Sequence, residues 1–265
     1  MRRSACVIAA ALVAACGSPA LAEERDFCAD RPGIATPPCT LAPGSVMVEA
    51  TGVEWDHSSD AQSVEDELTV GDFAVRVGVT QSTEVQFGLT SYIHDRVHDR
   101  ATGRVSHQSG VGDAFVAVRQ GLAGPNGPVA IQAFVTVPTG AAAVGAGDWG
   151  GGVLLPVQVK LPGDFQLGLT PEIDAAVDAD GNGRHLAYGG VAGLSHDVGK
   201  NVTAGTEIAA YEDEDPGGHS LDARVTGELA WQVDKNLQLD IEGDLGLSAG
   251  APDHAVMVGF AKRFR

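Results

Sequence analysis

From Leu221 to Phe264 the chain alternates apolar and polar residues with a period of two. Val225, Gly227, Leu229, Trp231 and Val233, then Leu237, Leu239, Ile241, Gly243, Leu245 and Leu247, fall on one face. Asp222, Arg224, Thr226, Glu228 and Gln232, then Gln238, Asp240, Glu242 and Asp244, fall on the other, with Asp234-Lys235-Asn236 as a tight polar turn between the two runs. Strands of soluble sheets are usually about five to six residues long, whereas a tilted strand crossing a bilayer needs about 9 to 11. These runs are of the longer kind, so the pattern predicts strands of a membrane sheet.

The same reading upstream predicts nine more strands, over residues 45–54, 65–80, 83–93, 109–120, 129–137, 149–161, 165–174, 185–197 and 202–211. Short turns (81–82, 124–128, 162–164, 199–201) alternate with longer polar connections (56–63, 94–108, 138–148, 178–184, 212–218). An even strand number with short turns at one end and longer loops at the other predicts an all-β fold, a 12-stranded antiparallel transmembrane β-barrel of the bacterial outer membrane, with short turns and both termini periplasmic. A closed sheet leaves no backbone donor bare in lipid.

The start of the chain reads as a leader. Arg2 and Arg3 precede an apolar run from Ala5 to Ala15, and Ala20-Leu21-Ala22 is a small-residue cleavage site before Glu23; a second cut, lipoprotein processing at Cys16, is the alternative. The expected organisation is 1–22 signal peptide, 23–44 periplasmic N-terminal segment and 45–265 barrel. Cys28 and Cys39 are then the two remaining cysteines, and an oxidising compartment predicts that they pair. The net charge of −18 becomes two units more negative without the leader, and no basic patch survives for nucleic acid. Glycine, 35 of 265 residues, is spread through the strands without the period of three that collagen requires.

Asp30-Arg31-Pro32-Gly33, Ala42-Pro43-Gly44-Ser45-Val46-Met47-Val48-Glu49 and Gly110-Val111-Gly112-Asp113 resemble motifs of the bacterial outer-membrane transporter-like family named for the meta pathway of phenol degradation. The resemblance covers nearly all of the mature chain and implies an outer-membrane barrel associated with uptake of small, often aromatic, compounds. It carries over no catalytic residue. The C-terminus resembles the signal read by the barrel assembly machinery: Val256, Val258, Phe260 and Phe264 fit it, Lys262 is off-pattern and Arg265 overhangs.

If the apolar faces meet lipid, then Glu49, Arg76, Glu84, Asp113, Arg119, Glu172, Asp174, Glu207, Arg224, Glu228, Asp240, Glu242 and Asp244 line the lumen, ten acids against three bases. So many charges cannot be buried dry without partners. Either the lumen is wet, acidic and cation-attracting, or Arg76, Arg119 and Arg224 bridge the acids into a plug. Phe115 and Phe134 are candidate contacts for an aromatic solute. Asp178, Asp180 and Asn182, followed by Gly183, match the first half of a calcium loop, but the twelfth position is Gly189 in place of glutamate, so this is no EF-hand. The run Glu212 to Asp215 is either a solvated face or a place where divalent cations are shared with lipopolysaccharide.

The expected function is therefore a channel or transporter-like protein for small solutes, aromatic or cationic, needing no cofactor. The alternatives are an outer-membrane lipid hydrolase and a structural or surface-binding barrel. Hydrolysis would need a serine, a histidine and an orienting group; His57 with Ser59 and His219 with Ser220 are the neighbours available, with no orienting residue evident and no Gly-x-Ser-x-Gly elbow. Tyr92, Trp149 and Tyr211 fall near strand ends, where interfacial aromatic rings belong.

Overall fold

The structure is a computed structural model that describes residues 25–264. The leader, with either of its cuts, and Arg265 lie outside the described residues.

Fourteen strand segments form one antiparallel sheet: β1 (Val46–Ser59), β2 (Ser63–Gly78), β3 (Thr83–Asp99), β4 (Val105–Gly110), β5 (Ala114–Gly121), β6 (Ala130–Val137), β7 (Gly150–Leu154), β8 (Val157–Lys160), β9 (Gln166–Val177), β10 (Arg184–Asp197), β11 (Val202–Asp213), β12 (Ser220–Asp234), β13 (Leu237–Gly246) and β14 (His254–Phe264). β4 and β5 both pair with β3, and β7 and β8 both pair with β9, so each couple is one interrupted barrel strand. Pro156 sits in the second interruption, where a residue without an N–H can stand. The ring closes where Val46 of β1 faces Phe264 of β14, giving a closed twelve-stranded barrel with both ends of the described chain at one rim.

The alternation is what closes it. Leu229, Ile241 and Val258 are 47, 46 and 46 % exposed on the outside, while Thr226, Asp240, Glu242 and Asp244 on the same strands are buried inside. Among the described residues no helix is long and apolar enough to cross a membrane.

The strands outrun the expected ones. Residues 56–63 are not a loop, because β1 and β2 continue to a turn at 60–62. Nor is 94–108 a loose connection: Ile93 to His98 pair with β4 beyond the barrel wall. These extensions have no lipid face, so they carry no apolar alternation to read. A second cause is a slip in register at Gly52. Gly71, with φ +66°, lies beside the same break on β2. One extra residue reverses which side chains point inward, so Glu54 and Asp56 follow Glu49 and Thr51 onto the inner face.

The largest departure concerns 23–44. Its described part, from Arg25, enters the barrel, where its backbone meets side chains of the wall.

Candidate functional site

Inside a barrel a non-strand segment has backbone N–H groups without ladder partners, and each must find an acceptor. The wall carboxylates supply them. Asp30 N donates to Glu49 Oε2 (2.9 Å), Gly33 N to Glu242 Oε2 (2.7 Å), Ile34 N and Ala35 N to Glu207 Oε2 (2.6 and 3.0 Å), and Leu41 N to Glu84 Oε2 (2.9 Å). Thr36 N reaches Thr170 Oγ1 at 3.0 Å. A disulfide between Cys28 and Cys39, Cα atoms 6.2 Å apart, closes this segment into a loop. Gly33 holds φ at +94°, and a Cβ there would run into the carboxylates of Glu228 and Glu207.

Basic residues fasten the same loop from the other side. Arg76, fully buried, pairs with Glu49 (2.7 Å), Glu84 (2.8 Å) and Asp30 (2.8 Å) and donates to Cys28 O (2.9 Å). Arg119, also fully buried, grips both oxygens of Asp30 at 2.8 and 2.6 Å and donates to Gln132 Oε1. Arg31 runs the opposite way, from the loop to Asp240 Oδ1 (2.8 Å) and Thr51 Oγ1 (2.6 Å) on the wall. Residues 25–44 are thus a plug bonded around its circumference.

Strand register arranges further acids in rows. Glu228, Glu242, Met257 and Glu54 stand opposite one another in sequence across β12, β13, β14 and β1. A second row runs Glu207, Thr226, Asp244, Ala255, Asp56, Glu67, Asp95. Arg224 is the base beside them; it pairs with Asp222 and lies 3.8 Å from Asp244. Open volume adjoins both rows. A cavity of about 210 Å³ lies between the plug (Arg31, Thr36) and Gln166, Ser195, Glu207 and Glu228 of the wall. A neighbouring 200 Å³ cavity, sharing Thr203, Ala230 and Gln238 with it, reaches the short turn at Lys200 and Asn201. At the opposite rim an 840 Å³ vestibule is lined by Glu54, Asp56, Glu65, Glu67, Arg224 and Asp253.

The remaining residues singled out from the sequence fall as follows. Asp113 lies outside any strand and accepts from Gly140 N and Ala146 N, both at 2.7 Å, which ties down the 138–149 loop. Glu172 and Asp174 lie on β9, with the Tyr211 hydroxyl 3.5 Å from Glu172. Phe115 packs over Gly88 on the inner face, and Phe134 stands opposite buried Ala117. Asp178, Asp180 and Asn182 do not converge: Asp180 accepts from Asn182 N, while Asp178 turns to His185. Both histidines considered for hydrolysis have an orienting carboxylate after all, Asp66 on His57 Nδ1 (2.8 Å) and Glu214 on His219 Nδ1 (2.6 Å). Ser59 Oγ accepts from Arg100 Nη2 at 2.7 Å. Trp149 is exposed, with the Arg184 guanidinium 3.6 Å over its ring.

Sequence reading missed Asp30, Glu54, Asp56 and Glu67. Gly52 and Gly71, glycines inside otherwise regular strands, were the signal that parity changes there.

No curated protein matches the sequence. Among solved structures the chain is similar to an outer-membrane channel from Pseudomonas putida F1, with 14 % identity, TM-score 0.65, and 88 % of this chain and 99 % of that one covered. It is also similar to the β domain of the Bordetella autotransporter BrkA, with 12 % identity, TM-score 0.53, and 84 % and 100 % covered. At these identities the likeness establishes the fold, that of an outer-membrane barrel. The model of the family described as putative MetA-pathway of phenol degradation matches residues 29–264, and the chain belongs to that family.

Proposed function

We propose that this chain is an outer-membrane channel for small solutes, cationic ones above all, whose conductance is limited by the plug of residues 25–44. The observation that carries the reading is the pair of carboxylate rows adjoining two open cavities, with Arg224 as the base beside them. An inner surface of that composition concentrates cations and repels anions. The P. putida protein of the same fold is itself described as an outer-membrane channel, which agrees with transport. Phe115 and Phe134 on the inner face are the residues an aromatic solute would meet, and the family's description, which refers to phenol degradation, fits such a solute. The rim with the short turns and both termini is assigned to the periplasm, the usual arrangement of single-chain barrels. The exposed apolar belt then meets lipid, and the longer loops meet lipopolysaccharide.

The test is conductance across a planar bilayer under a salt gradient, on protein shown to be folded by its heat-dependent gel mobility. Discrete steps with a cation-selective reversal potential are expected, small in the wild type and larger once the plug is loosened. Anion selectivity, or silence from folded protein in both forms, would overturn the proposal.

A further inference from the structure

At the rim opposite the described ends, two loop aspartates and one at the end of β11 surround one imidazole. His185, at the start of β10, has a side chain only 5 % exposed. Its Nδ1 lies 2.9 Å from Asp178 Oδ1 and 3.5 Å from Asp215 Oδ2. Its Nε2 lies 2.9 Å from Asp213 Oδ1, yet out of line for a hydrogen bond, leaving a buried ring nitrogen without a hydrogen-bond partner. One Nδ1–H can serve only one of the two carboxylates it faces. Even a fully protonated ring would set a single positive charge among three negative ones.

We propose that Asp178, His185 and Asp215 form a binding site for a divalent cation of the zinc class, with Asp213, 2.9 Å from Nε2, turning into line to accept from it when Nδ1 takes the ion. The ligand atoms of the three residues all lie within 4.8 Å of one another. Atoms 2.9 to 3.5 Å apart can share an ion at the roughly 2.0–2.2 Å bonds that zinc makes to nitrogen and carboxylate oxygen. A carboxylate on the far ring nitrogen is the usual support of a metal-bound histidine. Nitrogen in the donor set selects against calcium, which takes oxygen ligands, and Asp180 of the half calcium motif is turned to Asn182 N instead. Gly217, Gly218 and Ser220 border a 450 Å³ cavity over His185 that admits an ion and the water ligands completing its shell. The ion would bind the 178–183 turn to the loop after β11, joining two hairpins that form one sector of the rim.

Zinc alone is the probe, titrated by calorimetry into the full chain, folded in detergent and stripped with a chelator. One equivalent should bind to the wild type. His185→Gln should weaken binding at least tenfold, Asp213→Asn should weaken it by about tenfold or more, and Asp180→Asn should leave it unchanged. Zinc should also slow amide exchange in 178–183 and 214–219 of the wild type only. If His185→Gln does not fold, Asp213→Asn and the exchange pattern decide. Equal zinc affinity in wild type and variants, no uptake by folded wild type, or calcium binding that needs Asp180 and ignores His185 would each overturn the site.

Discussion

Arg76 is where one residue commands most of the interior. It lies among Glu49, Glu84 and Asp30 with no exposed surface, so its removal takes the nearest cation from Glu49 and Glu84, while Asp30 keeps Arg119. Breaking a buried pair costs about 3–5 kcal/mol, because the remaining charge is left without a partner. Arg76→Met should therefore lower stability by roughly that amount, read as the denaturant midpoint of the barrel in lipid vesicles, and Arg76→Lys should recover only part, lacking the planar fork that spans several acceptors. Gly33 is the second such residue. Its φ of +94° disfavours any side chain, and a Cβ would meet Glu228 and Glu207. Gly33→Ala should displace the loop while sparing the barrel, so single-channel conductance should rise while the heat-dependent gel shift stays. A fall in both would mean that the loop supports the wall. At this scale part was legible: alternation names Glu49, Arg76, Glu84, Arg119, Glu207, Asp240, Glu242 and Asp244, all of them buried, but it passes over Glu54, Asp56 and Glu67 and includes Asp113, which lies outside any strand. The partners of these residues could not be named, since Gly33 and Glu242 are 209 positions apart and nothing in either neighbourhood refers to the other.

Among the elements, the N-terminal loop and the β1–β3 extensions departed furthest from expectation, for different reasons. The loop has no periodic pattern, and its acceptors belong to β1, β3, β9, β11 and β13. Cys28 and Cys39 were readable as a pair, but the site of the loop they close was not. Opening that loop with Cys28→Ser and Cys39→Ser together should increase its excursions, since a cross-link limits the conformations available to the chain it spans. The double variant should show longer or larger open events in planar bilayers, with unchanged gel mobility; identical traces would argue that the wall contacts alone hold the plug. With their extensions β1 and β3 run to 14 and 17 residues, and β2, expected over 65–80, has 16, all well past the about 9 to 11 that cross a bilayer. The polarity of the extensions made them look like loops, and only the pairing ladder identifies them as strands.

The whole molecule is a closed ring with apolar side chains outside and polar and charged ones inside, and its outer belt can be tested as such. Ile241, 46 % exposed, stands between Leu229 and Val258 on neighbouring strands. Placing Lys there should cost about 2–4 kcal/mol if the position lies near the bilayer midplane, measured by reversible unfolding in lipid, whereas a soluble barrel would tolerate the change. The sequence by itself determined the strand content, the twelve-strand count, the outward face and the candidate disulfide, because the first three rest on alternation along the chain and the last on two cysteines left in an oxidising compartment. Only the tertiary structure decided that residues 25–44 occupy the barrel, that inward parity reverses at Gly52, and that acids from many strands align in rows. Those outcomes depend on how strands register around a closed ring and on what fills it, and such relations join residues that the chain keeps far apart.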